Sequence, residues 1–302
     1  MITEVRVGSV VLPNPVMTAS GTAGHGDELG AYGDLAALGA CVVKSLAAYE
    51  WAGNPAPRVH PTPSGMINAV GLQGPGVDAW LRDDLPGLRD AGARIVASIW
   101  GRSVDDYATA ASALAAAGPE VIAVEINLSC PNLEGRGAIF AHDAALSAEV
   151  IAATASCGRP RWAKLSPNTD RVIDVARAVY SAGADAVTLI NTVLGMVIDP
   201  ATGKPALGNG GGGVSGRGMH PIAVRTVFDV HREIPELPIV GVGGVASGWD
   251  AVELMLAGAS AVQVGTATFA DPRAPWKVLE GLIGWGEGRG TARLSDLTGA
   301  AM

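Results

Sequence analysis

Val121-Ile122-Ala123-Val124-Glu125-Ile126-Asn127-Leu128-Ser129-Cys130-Pro131-Asn132 is an apolar run that breaks into amides, a thiol and a proline. Its first six residues read as a buried strand, and Pro131 stops that strand by removing a backbone donor. A helical pattern, Ala144 to Ser156, follows. Strand, polar loop and helix make one β/α unit, and the chain repeats that unit on both sides. Further candidate strands are Pro15 to Ala19, Cys41 to Leu46, Arg94 to Trp100, Arg161 to Leu165, Ala186 to Asn191, Pro238 to Val242 and Ala261 to Gly265. Helical patterns fill the gaps at Glu28 to Leu38, Val77 to Arg89, Val104 to Ala117, Asp170 to Ala182, Pro221 to Glu233, Ser247 to Ala257 and Pro275 to Ile283. Eight strands alternating with helices predict an α/β fold, a parallel (β/α)8 TIM barrel of typically about 250 residues. No linker-like break interrupts the pattern, so residues 1–302 are expected to form a single domain.

Composition narrows the functions open to such a barrel. Net charge is −8 and no Lys/Arg cluster occurs, which argues against a nucleic-acid surface. Hydrophobic residues make up 48%, enough for a large core, yet no apolar stretch reaches the roughly 18 residues that span a bilayer. Met1-Ile2-Thr3-Glu4-Val5-Arg6 lacks the basic-then-apolar order of a secretory signal. Three scattered cysteines form neither a disulfide framework nor a metal or iron-sulfur spacing, so no metal is expected and a cytoplasmic location is.

In a barrel of this type the active site lies at the C-terminal ends of the strands. Read in order, those ends are Ser20-Gly21, Lys44-Ser45, Ser98 to Gly101, Asn127 to Asn132, Lys164 to Asn168, Asn191-Thr192, Gly243-Gly244 and Gly265-Thr266. Nearly all are polar or glycine. Free cysteines are usually buried small hydrophobes, and Cys41 and Cys157 read that way. Cys130 differs because two asparagines and a proline surround it. A thiol with a reference pKa of about 8.5 needs little help to act as a base near neutral pH. Flanking amides offer donors and acceptors to a polar planar ligand. The pattern points to proton abstraction beside a held heterocycle.

Gly241-Val242-Gly243-Gly244 and Gln263-Val264-Gly265-Thr266 fall after strands seven and eight, where barrels commonly bind phosphate. The stretch Gly208 to Gly216 does not directly follow a strand, so it reads as a mobile lid or cofactor-contacting loop rather than a nucleotide fingerprint. Lys44 and Lys164 end apolar strands and should point into the mouth. Stabilising negative charge on a bound ring asks only for an ordinary ammonium, whereas a Schiff base asks for a depressed pKa.

Lys44-Ser45, Asn68-Ala69-Val70-Gly71-Leu72-Gln73, Asn127 to Asn132, Lys164 to Asn168, Ile190 to Met196 and the two glycine motifs together resemble the dihydroorotate dehydrogenases, in order, over nearly the whole chain. The likeness is to class 1 enzymes, which use Cys rather than Ser as base, and within them to the NAD-linked B subtype. It implies a flavin enzyme of pyrimidine biosynthesis. Cys130 would take a proton from C5 of dihydroorotate while a hydride leaves C6 for FMN, giving orotate. By the same resemblance Lys44, Asn68, Ala69, Val70, Gly71, Leu72, Asn127, Asn132, Asn191 and Thr192 would hold the substrate. Ser20, Lys44, Ser45, Asn127, Lys164, Ile190, Gly216, Gly243, Gly244, Gly265 and Thr266 would contact FMN. Residues Leu133 to Ala141 would form a lid carrying the base.

Ser98, Trp100 and Gly74 depart from the family pattern, as do Thr22 to Gly26 and Arg217-Gly218-Met219-His220. Trp100 bears on the flavin pocket or on a partner surface near it. The chain has no dinucleotide fingerprint and no four-Cys iron-sulfur set. The resemblance therefore implies a second, electron-transfer subunit carrying FAD and a [2Fe-2S] cluster, joined to a homodimeric barrel core in a heterotetramer. Other readings are an A-subtype enzyme using fumarate and a dihydropyrimidine dehydrogenase-like flavoenzyme. A phosphate-binding lyase or isomerase with a Schiff-base lysine and a non-catalytic binding subunit are the alternatives outside the flavin class.

Overall fold

The computed structural model describes residues 1–129 and 139–302. At its centre are eight parallel strands: β1 (Val16–Thr18), β2 (Cys41–Val42), β3 (Ile95–Ile99), β4 (Val121–Asn127), β5 (Arg161–Lys164), β6 (Ala186–Leu189), β7 (Ile239–Val242) and β8 (Ala261–Val264). They are hydrogen-bonded in the order β1-β8-β7-β6-β5-β4-β3-β2. The circle closes where Met17 pairs with Ala40 and the Thr18 hydroxyl accepts from the Val42 amide at 2.8 Å. This is the expected (β/α)8 barrel. All strand residues except Ile122 and Arg161 are buried, since helices cover the outside and side chains fill the inside.

The helices are α1 (Val77–Asp83), α2 (Leu85–Asp90), α3 (Val104–Leu114), α4 (Ala144–Ala153), α5 (Val172–Ser181), α6 (His220–Glu233), α7 (Gly248–Leu256), α8 (Ala267–Ala270) and α9 (Ala274–Gly288). Three differ from the sequence expectation. Glu28 to Leu38 forms only two 3-10 turns, Glu28–Tyr32 and Leu35–Ala37, because Gly30 and Gly33 weaken an already short helix. Val77 to Arg89 splits into α1 and α2, since Pro86 has no N–H to offer the Arg82 carbonyl. The short helix α8, directly after Gly265-Thr266, was not anticipated.

A four-stranded antiparallel sheet stands over the C-terminal mouth, in the order Val193–Gly195, Gly212–Ser215, Gly65–Asn68, Val59–Thr62. Its own small cluster, Ile67, Ala69 and Leu207, packs with Val197 and Val214. The sheet corrects the reading of Gly208 to Gly216 as a loop: Gly212 to Ser215 is an inner strand, paired on both edges. A hairpin, Val5–Val7 with Val10–Leu12, precedes β1.

Candidate active site

Between the strand ends and the antiparallel sheet lies a cavity of about 660 Å³. Every described residue assigned above to substrate or cofactor lines it: Ser20, Lys44, Ser45, Asn68 to Leu72, Asn127, Lys164, Ile190, Asn191, Thr192, Gly216, Gly243, Gly244, Gly265 and Thr266. Cys130, Asn132 and most of the expected lid, 133–138, lie outside the described residues.

The last described turn before Cys130 is held from several sides. Asn127 Oδ1 accepts from Asn191 Nδ2 at 3.1 Å and from the Ser129 amide at 3.2 Å. Tyr107 donates to the Asn127 carbonyl at 2.6 Å, and Leu128 N donates to the Lys164 carbonyl at 3.1 Å. The hydroxyls of Ser20, Ser45 and Ser98 form a chain, at 3.2 and 2.8 Å. Ser98 thereby gains a role as the inner end of that chain.

Beneath the cavity the barrel contains a charged network that the sequence reading passed over. Glu125, on the same face of β4 as Asn127, is fully buried. Its Oε2 accepts from Gln263 Nε2 at 2.7 Å and from the Thr188 hydroxyl at 3.0 Å, while Oε1 lies 3.4 Å from Lys164 Nζ. Gln263 Oε1 is 3.5 Å from the same ammonium. Desolvating a carboxylate and an ammonium costs several kcal/mol each unless the pair is also hydrogen-bonded, as it is here. The available signal was a lone charge inside an apolar run, two residues before Asn127. At the rim, burial and then the Lys44 ammonium lower the pKa of His25.

Gly243 and Gly244 have φ of 135° and 72°, conformations that suit glycine. His220 fixes them: its Nδ1 donates to the Gly243 carbonyl at 2.8 Å, and its Nε2 lies 3.2 Å from Glu253 Oε2. The Arg217 to His220 departure thus supplies a prop for the glycine turn. The Thr266 hydroxyl donates to Ser215 Oγ at 2.8 Å, tying the loop after β8 to the antiparallel sheet.

The loop Asn68 to Leu72 has a fixed polarity. The Ala69 carbonyl accepts from Asn54 Nδ2 at 3.1 Å, the Val70 carbonyl from Asn54 N at 3.1 Å, and the Gly71 carbonyl from Trp51 Nε1 at 3.0 Å. In a trans peptide the N–H of the next residue points the other way. The amides of Val70, Gly71 and Leu72 are therefore turned from segment 51–54 toward the cavity, and no described group accepts from them. Asn54 and Trp51 carried no signal in the sequence, because the contacts that matter here lie 15 to 20 residues away. Trp100, expected to bear on the flavin pocket or on a partner surface near it, does not line the cavity and packs against Tyr49 and Trp51.

The dihydroorotate dehydrogenase family model matches residues 2–284. A protein of Trichlorobacter lovleyi named dihydroorotate dehydrogenase B (NAD(+)), catalytic subunit, is 46% identical over 298 residues, 98% of this chain and 97% of that one. A protein of the same name from Alkaliphilus metalliredigens is 44% identical over 98% of each chain. The one from Desulforudis audaxviator is 45% identical over 99% of this chain and 97% of its own. With a barrel whose mouth gathers the family's motifs, and with relatives this similar along almost their full length, the chain belongs to the dihydroorotate dehydrogenase family.

Proposed function

We propose that this chain oxidises dihydroorotate to orotate beside a bound FMN, as the catalytic subunit of an NAD-linked enzyme. The observation that carries the reading is the loop Asn68 to Leu72, which turns three successive amides into the cavity lined also by Lys44, Lys164 and the glycine turns. Consecutive N–H groups beside an ammonium suit a carboxylate such as that of dihydroorotate. Asn127, Asn132, Asn191 and Thr192 would then meet the polar edges of its ring.

The donor set also fits FMN. Gly216, Gly243, Gly244, Gly265 and Thr266 would hold the phosphate, with Ser20, Ser45, Asn127 and Ile190 along the ring. Bound FMN supplies the hydride acceptor. Lys164 brings a positive charge held in place by Glu125, suited to offset the negative charge of a reduced ring. Glu125 and Gln263 together engage the Lys164 nitrogen, at 3.4 and 3.5 Å, which favours an electrostatic role over that of a free amine nucleophile. Cys130 would accept the C5 proton as the hydride leaves C6 with the C6–H electron pair; the C5–H pair becomes the new C5=C6 bond and the thiolate ends as a thiol.

Electrons would leave through a partner subunit bearing FAD and [2Fe-2S], consistent with the relatives' name of catalytic subunit, on a homodimeric barrel core. Residence in the cytoplasm belongs to the same proposal; no helix among the described residues is long and apolar enough to cross a membrane. The test is anaerobic mixing of the purified chain with dihydroorotate. Its flavin should bleach, a dye should then be reduced, and NAD should not be. Colourless protein that takes up no added FMN would overturn the flavin reading, and rapid NAD reduction by this chain alone would overturn the partner.

A further inference from the structure

The excursion that carries the loop Asn68 to Leu72 leaves and returns at one point. Trp51 and Gly74 pair there, with N–H to carbonyl distances of 2.9 and 3.0 Å in the two directions. At this neck the Trp51 indole N–H reaches back to the Gly71 carbonyl, at 3.0 Å. The peptide it holds is under strain. Gly71 has φ +75°, and Leu72, at +63°, is the only non-glycine residue with positive φ among those described. A leucine in that region relaxes unless its neighbours prevent it. Relaxation of Leu72 would rotate the 71–72 peptide and turn its N–H out of the cavity.

Trp51 is itself braced. Its ring meets Trp100 edge-on at 6.1 Å and 67°, and Tyr49 at 6.4 Å and 71°; Tyr49 and Trp100 meet at 6.4 Å and 73°. The Arg102 guanidinium lies 4.8 Å from the centre of the Trp51 ring. Asp106, in the first turn of α3, accepts from the Tyr49 hydroxyl at 3.0 Å and from the Arg102 amide at 2.9 Å. Trp100 is held at the end of β3 by its amide, which donates to the Leu46 carbonyl at 3.0 Å. The three rings thus tie the neck to the rigid barrel through β3 and α3. None of them lines the cavity. Trp100 Nε1 is buried and has no hydrogen-bond partner among the described residues, so that side chain contributes packing alone.

We infer that Trp51, braced by Tyr49 and Trp100, is a positioning residue for substrate recognition: its indole N–H keeps the Gly71 carbonyl outward and so keeps the Leu72 amide aimed at the substrate carboxylate. The inference rests on the reading above that this loop binds that carboxylate.

The test is Trp51→Phe, which keeps an aromatic ring and removes the donor, with Trp100→Phe as a second variant that loosens the brace and leaves the Trp51 indole in place. In FMN-loaded protein, Trp51→Phe should raise the orotate Kd, read from the flavin spectrum, and the dihydroorotate KM by roughly 10- to 100-fold, from a lost hydrogen bond and released strain. kcat with a dye acceptor should change by less than about 3-fold, because no reacting group has moved. Trp100→Phe should shift Kd and KM the same way by a smaller factor, with FMN content as in the parent. Equal Kd and KM in parent and Trp51→Phe would overturn the inference, as would a fall in kcat and FMN content with KM unchanged. If Trp51→Phe does not fold, Trp100→Phe decides: an unchanged KM in a folded, flavin-loaded variant overturns it. Failure of the parent itself to bind orotate would instead overturn the proposed function.

Discussion

Cys130 and Glu125 stand five residues apart in the sequence, and the residues around each mark it as unusual, yet only for Cys130 do those neighbours suggest a role. Asparagine and proline neighbours mark Cys130 as exceptional. Glu125 gains its meaning from Gln263, which is 138 residues away. The two other thiols are inert by environment: burial pushes Cys41 up to about 12 and also raises Cys157, so neither offers a thiolate near neutral pH. Neither competes with Cys130 for the proton transfer proposed above. Cys130→Ala should retain FMN and orotate while flavin reduction by dihydroorotate slows by roughly 10²- to 10⁴-fold, the usual worth of a positioned base. Rapid-mixing absorbance of the flavin under saturating substrate measures this directly. A variant as fast as the parent would remove Cys130 from the mechanism.

At the scale of elements, three helix starts lie within one residue of the sequence expectation and carry side-chain caps. Ser103 and Ser247 accept from Asp106 N and Asp250 N and so cap α3 and α7. Asp143 does the same for α4 with two bonds, from Ala145 N at 2.9 Å and Leu146 N at 3.0 Å. Its carboxylate also sits at the favourable end of the helix dipole. Asp143→Ala should therefore destabilise the protein by about 1 kcal/mol, within a range of 0.5–2. Urea unfolding should show a lower midpoint at unchanged slope, and an unaltered midpoint would mean the cap contributes nothing. The antiparallel sheet escaped the sequence reading because its strands, Gly65–Asn68 and Gly212–Ser215, are short and rich in glycine and pair across nearly 150 residues.

For the molecule as a whole, two histidines link folding to pH. Burial lowers the pKa of His231, and burial followed by the Lys44 ammonium lowers that of His25. Each takes up a proton more readily when unfolded, at about 6.5, than when folded. Their contribution to stability is therefore fully present above pH 6.5 and is lost as pH falls below it. Thermal melts should show Tm declining from pH 7.5 to 5.5, and His25→Gln and His231→Gln should each flatten that decline. A Tm independent of pH across this window in the parent would contradict the assignment. Asp271 is paired with Lys277 and Arg273 and held at about 2; it adds a second loss only below about pH 4.

The sequence by itself determined the barrel, its eight strands in order, and the polar residues at their ends. Those follow from apolar runs, turn residues and periodicity, which act over a few positions. The strand-end residues it marked, Ser20, Lys44, Ser45, Asn127, Lys164, Asn191, Gly243, Gly244, Gly265 and Thr266 among them, line one cavity because strand ends in a closed barrel converge on one mouth. Asn68 to Leu72, and Gly216 as a named contact, entered only through the family resemblance. What only the tertiary structure decided are the groups that act through others. Glu125 with Gln263 sets Lys164, His220 props the Gly243 turn, and Trp51 with Trp100 orients the Gly71 peptide. Each of these depends on barrel closure bringing distant segments within hydrogen-bond or ring-contact distance, and no local propensity encodes such a meeting.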